Sequence, residues 1–242
     1  MAANTIKVPE KHSTKFVAHR GCSGLETENT AAAFLAAAHR TYFGIETDIY
    51  RTADGQFICS HDNHTARICE TDLYIEQSTL AELRALKLKD RDGQTDRAEL
   101  MLCTPYEYVK ICKKYGKHPV PELKSNFTRE EIEALLQIFA DAEMLDDTTF
   151  IAFNMDNLDH VRAVRPTQTV QFLISKWNDE LPAMLAERKM GLDIHYSQLT
   201  AERVALLHEN GIEVNCWTVD KPEDAEAIIA MGADQITTNI LE

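Results

Sequence analysis

The sequence predicts an α/β protein of the (β/α)8 class, a TIM barrel. Eight short apolar or β-branched runs alternate with seven helical runs along the chain. These runs are apolar almost throughout, as parallel strands covered on both faces are. The length, 242 residues, suits one such barrel, which takes roughly 250 residues as a single unit. Residues 1–242 are therefore read as one domain. An open doubly wound sheet is the competing arrangement, but no glycine-rich phosphate loop opens a helix.

The strands are expected at 16–19, 44–49, 120–123, 150–153, 170–174, 192–194, 214–219 and 235–238. Helices are expected at 30–39, 105–115, 129–140, 158–164, 180–188, 201–209 and 222–231. Asn29 precedes the first helix as a candidate N-cap. Asp220 and Pro222 read as the opening of the last helix and Gly232 as its close. Gly211 follows the helix that ends near Asn210. Only four residues, 239–242, follow the eighth strand, so the last barrel helix is expected to be truncated or missing. The polar run 1–15 is expected to cover that gap or the barrel floor.

Two features interrupt the alternation. Segments 45–50 and 56–60 flank Asp54-Gly55, a strong hairpin signal. Residues 64–103 then form an insertion after strand 2, too long for an ordinary barrel loop. It is expected to carry a short helix at 79–86 and to lie over the barrel mouth.

Charge narrows the function. The chain has 39 Asp and Glu against 25 Lys and Arg, a net charge of -14. So acidic a surface repels nucleic acid and anionic membranes, so neither a nucleic-acid partner nor stable membrane association is expected. An anionic substrate then needs a local positive site, such as a bound cation. No run approaches the roughly 18 apolar residues of a membrane span, and 1–15 lacks an apolar signal core. A cytoplasmic protein is expected. The six cysteines include no Cys-x-x-Cys pair, and reduced thiols are expected.

In such barrels the active site lies at the C-terminal strand ends. Four ends are polar here: His19-Arg20-Gly21, the strand with Glu46 and Asp48, Glu122-Leu123-Lys124, and the end near Trp217. Glu46 and Asp48, two apart, point to one face. Such a pair is costly on a buried strand unless it is paired or metal-bound. With Glu122 on the next barrel strand, three carboxylates make a hard oxygen site for one divalent cation, Mg2+ or Ca2+. A two-residue turn at Asp54-Gly55 sets His61 opposite Asp48, and a longer loop shifts this by about one residue. His19 and His61 then flank the cation, with Arg20 and Lys124 nearby. A phosphodiester anion needs this neutralisation, and histidine serves as acid or base near neutral pH. The chain reads as a metal-dependent phosphodiesterase with His19 and His61 catalytic.

Simpler roles compete. Trp217 is either core or a pocket wall, and Lys124 either a solvated loop residue or a phosphate-side cation. Glu28 and Asn29 either cap the first helix or support the site. A zinc pair of His61 and His64 lacks further ligands. The acidic run 141–147 reads as a solvated turn. His12, His39, His118, His160, His195 and His208 are assigned no function.

These residues together resemble the glycerophosphodiester phosphodiesterase family. The match runs through His19-Arg20-Gly21, Glu28-Asn29-Thr30, Glu46-x-Asp48, Asp54-Gly55, His61-Asp62, Glu122-x-Lys124, Trp217-Thr218-Val219 and Gly232-Ala233-Asp234. The resemblance implies a barrel of the phospholipase C-like phosphodiesterase type with an insertion after strand 2. It implies hydrolysis of glycerophosphodiesters to sn-glycerol 3-phosphate and an alcohol. It implies His19 and His61 as the acid/base pair, Glu46, Asp48 and Glu122 as metal ligands, and Arg20 and Lys124 as phosphate-side cations. Attack by the glycerol 2-hydroxyl and a cyclic phosphate are implied too, with the order of the two histidines left open. The chain departs from the family pattern at Thr27, at Pro121 and in Thr237-Thr238-Asn239-Ile240, where an acidic residue and a proline are usual. Two other readings stand beside this one: a sphingomyelinase D-like or phospholipase-like barrel lyase, and a non-catalytic phosphate-ligand binding protein.

Overall fold

The computed structural model describes residues 4–8 and 13–242; His12 and part of the polar run 1–15 lie outside them. The strands, in chain order, are β1 (Lys15–Ala18), β2 (Gly44–Arg51), β3 (Phe57–Cys59), β4 (His118–Leu123), β5 (Thr149–Ala152), β6 (Thr169–Ile174), β7 (Gly191–His195), β8 (Val214–Trp217) and β9 (Gln235–Thr238). All except β3 run parallel, in the order β1-β9-β8-β7-β6-β5-β4-β2. β1 also pairs with β2, so the eight strands close into a ring and the open sheet is excluded. The helices are α1 (Ala31–Ala38), α2 (Leu80–Arg84), α3 (Pro105–Tyr115), α4 (Arg129–Asp141), α5 (Met155–Val164), α6 (Leu181–Arg188), α7 (Ala201–Glu209) and α8 (Pro222–Met231).

Strand alternation divides the apolar residues in two. Phe16 and Ala18 join the main core between barrel and helices, with Phe34, Tyr108, Phe150 and Ile194. Val17, between them, faces the other way and packs with Val120, Ile151 and Leu173 inside the ring. Threonine caps with a glutamate three residues on start three helices: Thr79 with Glu82 at α2, Thr104 with Glu107 at α3 and Thr128 with Glu131 at α4.

Two caps differ from expectation. α1 is capped by Thr30, whose hydroxyl accepts from Ala33 N, and not by Asn29. α8 starts after Lys221 with Pro222 in its first turn, and Asp220 makes no cap. Both displaced side chains have gone to the barrel mouth, where they meet stronger partners.

No helix follows β9 among the described residues. Instead Ile6 pairs in parallel with Leu241, through Ile6 N to Ile240 O at 3.0 Å and Glu242 N to Ile6 O at 2.8 Å. Val8 and Leu241 are buried in the main core. Residues 6–8 thus pair along the segment that follows β9.

Two prolines mark β4. Pro119 and Pro121 have no N–H to give, and β4 pairs with β5 at the single register Glu122↔Ile151. Its other neighbour, β2, matches it over six positions, from Gly44↔His118 to Ile49↔Leu123. The fully buried Tyr108 of α3 adds a bridge there: its hydroxyl donates to Ile45 O at 2.6 Å and accepts from Val120 N at 2.8 Å.

The hairpin register differs from a two-residue turn. Ile49 faces Cys59 and Arg51 faces Phe57, and Ser60 N donates to Asp48 O at 3.0 Å. Asp48 therefore comes opposite Ser60, and His61 lies one residue on. The turn is the three-residue loop Ala53-Asp54-Gly55, closed by Thr52 N to Gln56 O at 2.8 Å. Gly55 takes the left-handed position at φ 72° that such loops need. The following insertion, residues 64–103, includes α2 and builds its own core from Ile68, Ile75, Leu83, Leu88 and Leu100 against Tyr50 and Ile58 of the hairpin.

Candidate active site

His19 and Arg20 sit just past β1. Arg20 (φ 55°) and Gly21 (φ 76°) both take the left-handed conformation, which turns the chain sharply out of the strand. Only glycine fits at 21: a Cβ there meets the Ala33 backbone at 2.6 Å. The turn aims Arg20 N–H at Glu46 Oε2, 2.7 Å away.

Parallel pairing of β2 and β4 puts Asp48 directly beside Glu122. Ligand oxygens of Glu46, Asp48 and Glu122 all lie within 4.8 Å of one another. Glu46 and Asp48 are essentially buried, and Glu122 is 9% exposed. Lys124 Nζ reaches Glu122 Oε1 at 2.9 Å and Asp48 Oδ1 at 3.5 Å. Arg20 Nε reaches Asp48 Oδ2 at 3.5 Å. Asn29, buried at φ 57°, donates to Asp48 Oδ2 at 2.9 Å and accepts from the Thr47 hydroxyl at 2.7 Å.

Burial and mutual repulsion shape the ionisation of this trio. Burial, then the Asp48 charge, pushes the Glu46 carboxyl well above the usual range. Burial, then Asp48, raises Glu122 to about 7. Burial would raise Asp48 too, but Lys124, Arg20 and His61 hold it low. Asp48 Oδ1 is buried and takes no hydrogen bond. Two cations stand against three buried carboxylates, and Asp48 Oδ1 has Lys124 Nζ at 3.5 Å but no hydrogen bond. The all-oxygen donor set fits a hard divalent cation, whose charge reverses these shifts.

The two histidines stand on either side. His19 Nδ1 lies 2.8 Å from Asn239 Oδ1, and its Nε2 is 3.9 Å from Glu46 Oε2. Burial lowers the His19 pKa to about 4, with Arg20 adding to the effect. His61 Nδ1 lies 2.7 Å from Asp62 Oδ1. Burial lowers His61 also, against the opposing pull of Asp48. Both histidines line one cavity of about 210 Å3 with Arg20, Glu46, Glu122 and Lys124. Ile151, Leu173, Phe153 and Trp217 give it apolar lining, the last two in edge contact at 5.7 Å between ring centres, and Asp193, Thr218 and Thr237 line it as well.

The fold thus gathers His19, His61, Arg20, Glu46, Asp48, Glu122, Lys124 and Trp217 at one end of the barrel. Glu28 sits behind Arg20, accepting from its Nη1 at 3.0 Å. Arg67, which sequence reasoning passed over, ties the back of the site together. Its Nε donates to Asp62 Oδ2 at 2.6 Å, and its two Nη groups donate to Glu28 at 2.7 and 2.8 Å. One arginine from the insertion therefore holds the carboxylate behind His61 and the one behind Arg20. No residue of 64–103 lines the cavity itself. Asn239 and Asp220 were also missed; both lie on loops after strands, where no periodicity marks them. Asp62 stood next to His61 in the sequence, and adjacency was its only signal. His195 touches Trp217 edge-on at 5.3 Å between ring centres. His64 pairs with Asp72 at 2.8 Å, away from any metal cluster found among the described residues.

The sequence profile of the Glycerophosphoryl diester phosphodiesterase family matches residues 19–242. A glycerophosphodiester phosphodiesterase of Bacillus altitudinis is 38% identical over 236 residues, covering 93% of this chain and 94% of the relative. One from Caldanaerobacter subterraneus subsp. tengcongensis is 28% identical over 230 residues, covering 93% of this chain and 94% of the relative. Among solved structures, a glycerophosphodiester phosphodiesterase from Parabacteroides distasonis superposes with a TM-score of 0.79 at 30% identity, covering 95% of this chain and 94% of its own. A phosphodiesterase of Oleispira antarctica, solved with its product sn-glycerol-3-phosphate, shares the fold at a TM-score of 0.86 and 24% identity, covering 93% of this chain and 92% of its own.

Proposed function

Because the chain belongs to the glycerophosphoryl diester phosphodiesterase family and is a phosphoric diester hydrolase, we propose that it hydrolyses glycerophosphodiesters to sn-glycerol 3-phosphate and an alcohol. The observation that carries this reading is the joint placement of His19, His61 and the Glu46, Asp48, Glu122 trio around one cavity.

Glu46, Asp48 and Glu122 would hold one divalent cation, Mg2+ or Ca2+, which supplies positive charge to the phosphoryl oxygens. Arg20 and Lys124 add fixed positive charge at the cavity wall. Each is itself held by carboxylates: Arg20 by Asp48 and Glu28, and Lys124 by Glu122 and Asp48. They are in place before substrate arrives and need no reorganisation. In a molecule of charge -14 this local positive field is what admits an anion.

His19 and His61 move the protons. In the first step one takes the proton of the attacking glycerol 2-hydroxyl while the other protonates the leaving alcohol oxygen. In the second step water opens the cyclic phosphate with the two roles exchanged. The sum consumes one water and leaves the histidines as they began. Ile151, Leu173, Phe153 and Trp217 give the cavity its apolar surface, with Trp217 packing against the glycerol or the leaving group. Asn29 and Glu28 support the site through Asp48 and Arg20. The insertion 64–103 lies beside the mouth in this reading and acts through Arg67. The substrate is a small molecule and the location cytoplasmic. The six cysteines, all buried and unpaired, suit a reducing compartment, and no helix of the described residues is long and apolar enough to cross a membrane.

The test is release of sn-glycerol 3-phosphate from glycerophosphocholine or glycerophosphoethanolamine with Mg2+ or Ca2+ present. The wild type should turn over, and His19→Ala and His61→Ala should each lose roughly 100- to 10,000-fold in kcat. Full activity in either variant contradicts the two-histidine reading.

A further inference from the structure

Asp193 is a carboxyl that the reaction above leaves unused. It sits on β7 at 1% exposure and lines the same cavity as His19 and His61. Leu192 and Ile194 on either side of it join the core between barrel and helices, so Asp193 faces into the ring. Its neighbours at the same level are Leu173 on β6 and Asn215 on β8. Three strands separate β7 from β2 on either way round the ring, so Asp193 stands across the interior from Glu46 and Asp48. Its Oδ1 is buried and takes no hydrogen bond. Asn215 shares its amide between the Thr237 hydroxyl, at 3.1 Å from Nδ2, and the Asp193 carboxyl, which still leaves Oδ1 open. Trp217 Nε1 donates to the backbone oxygen of Asp193, at 3.4 Å, and not to its side chain. Gln171 Oε1 is also unpaired, but Gln171 does not line the cavity.

A buried oxygen without a donor is destabilising, and in a cavity wall a ligand can bring the donor. Glycerophosphodiesters offer two kinds: hydroxyls and, in the amino alcohols, an ammonium. The surroundings favour the hydroxyl. An ammonium would leave water completely for a carboxyl whose ionised form burial opposes. A hydroxyl needs one hydrogen bond and carries no charge. Ile151, Leu173 and Trp217 offer apolar contact to a CH2 group beside it. The carboxylate trio, Arg20 and Lys124 gather the phosphoryl-binding groups on β2, β4 and the end of β1, across the ring. The glyceryl unit is common to all substrates of this class while the alcohol varies, and only the constant part suits an enclosed position with one fixed acceptor.

We propose that Asp193 is a specificity-determining residue that accepts a hydrogen bond from the terminal hydroxyl of the substrate's glyceryl unit, and so selects diesters in which that hydroxyl is free over their acylated forms. This rests on the hydrolase reading above. The attacking 2-hydroxyl is on the next carbon, so anchoring the terminal one limits the positions that the attacking oxygen can take. An acyl ester there has no hydrogen to give and leaves Asp193 Oδ1 unpaired. It also drives its chain toward the ring interior, which Val17, Val120, Ile151 and Leu173 fill.

The test compares glycerophosphoethanolamine with its analogue built on 1,2-propanediol, which keeps the attacking 2-hydroxyl and lacks only the terminal one. With Mg2+, the wild type should hydrolyse the analogue with kcat/KM lower by roughly 10- to 100-fold. Asp193→Ala should lose a similar factor on glycerophosphoethanolamine and match the wild type on the analogue, which also shows that the variant is folded. Asp193→Asn keeps an acceptor oxygen and should recover most of the loss. Equal wild-type rates on the two diesters, or an equal loss on both in Asp193→Ala, overturns the proposal. Glycerophosphoglycerol separates hydroxyl from ammonium: the Asp193→Ala loss should be the same with it, and a loss confined to the ethanolamine diester overturns the hydroxyl assignment. Lysophosphatidylethanolamine, acylated at the terminal hydroxyl, should be turned over poorly by the wild type; turnover equal to that of glycerophosphoethanolamine contradicts the selection. A further arm needs no turnover. By calorimetry with Mg2+, sn-glycerol 3-phosphate should bind the wild type roughly 10-fold or more tighter than 1,2-propanediol 1-phosphate, and equal affinities overturn the proposal. Absence of wild-type turnover on every diester would fault the hydrolase reading and leave this binding comparison to decide the role of Asp193.

Discussion

Glu122 shows how far one side chain is bent by its place in the fold. Asp48 lies beside it across the parallel pair β2–β4, and burial followed by that charge raises Glu122 to about 7. The sign of the consequence is fixed. A carboxyl whose folded pKa lies above its unfolded one contributes stability at low pH, and loses it as pH rises through the folded value. Without divalent cation, the thermal midpoint of the wild type should therefore fall relative to Glu122→Gln between about pH 5 and 8. Cation binding displaces that proton, so apparent affinity should rise over the same range. Thermal scans in chelator across that range check this; a constant gap between the two proteins contradicts it. At this scale the strand-end residues were legible in the sequence, because strand alternation and the C-terminal face of a barrel fix where Glu46, Asp48, Glu122, His19 and Lys124 point. Arg67 and Asn239 were not legible: each acts through a loop whose course depends on tertiary packing. Asn29 and Asp220 have short polar side chains that cap helices equally well, and only the buried partners at the barrel mouth decided otherwise.

Strands and helices were read almost wholly from periodicity, with boundaries moved by a few residues: α5 begins at Met155 where 158 was expected, and β8 ends at Trp217 where 219 was expected. The hairpin register was the informative error. Asp54-Gly55 suggests a two-residue turn, but Thr52 closes a three-residue loop, its hydroxyl donating to Asp54 Oδ1 at 2.6 Å and accepting from Gln56 N at 3.0 Å. β4 is the element under most demand, since it carries Glu122 with two prolines in its span. Tyr108 compensates by joining Ile45 O and Val120 N between β2 and β4. Tyr108→Phe leaves both buried groups unpaired and should cost about 1–3 kcal/mol, read as a shifted denaturation midpoint. It should also weaken cation binding, because Glu46 follows Ile45 directly. A stability equal to wild type contradicts the bridging role.

At the largest scale, eight parallel strands close into a ring, and no helix follows β9 among the described residues. Residues 6–8 and 240–242 pair across the seam, and Lys7 reaches Glu242 at 2.7 Å. The sequence left open whether the N-terminal run covers the gap or the floor, since pairing between chain ends has no local signature. The ring brings eight strand ends to one mouth, and an acidic protein concentrates Arg20, Lys124 and the Glu46, Asp48 and Glu122 cluster there. The proposed function has the Glu46, Asp48 and Glu122 cluster hold a cation that serves phosphodiester hydrolysis. Its most direct test is sn-glycerol 3-phosphate release by the wild type after exhaustive chelation and then on stepwise return of Mg2+ or Ca2+. Release should be negligible with chelator and should recover to saturation as cation returns. Full release in the presence of chelator, or none at any cation concentration, would contradict it.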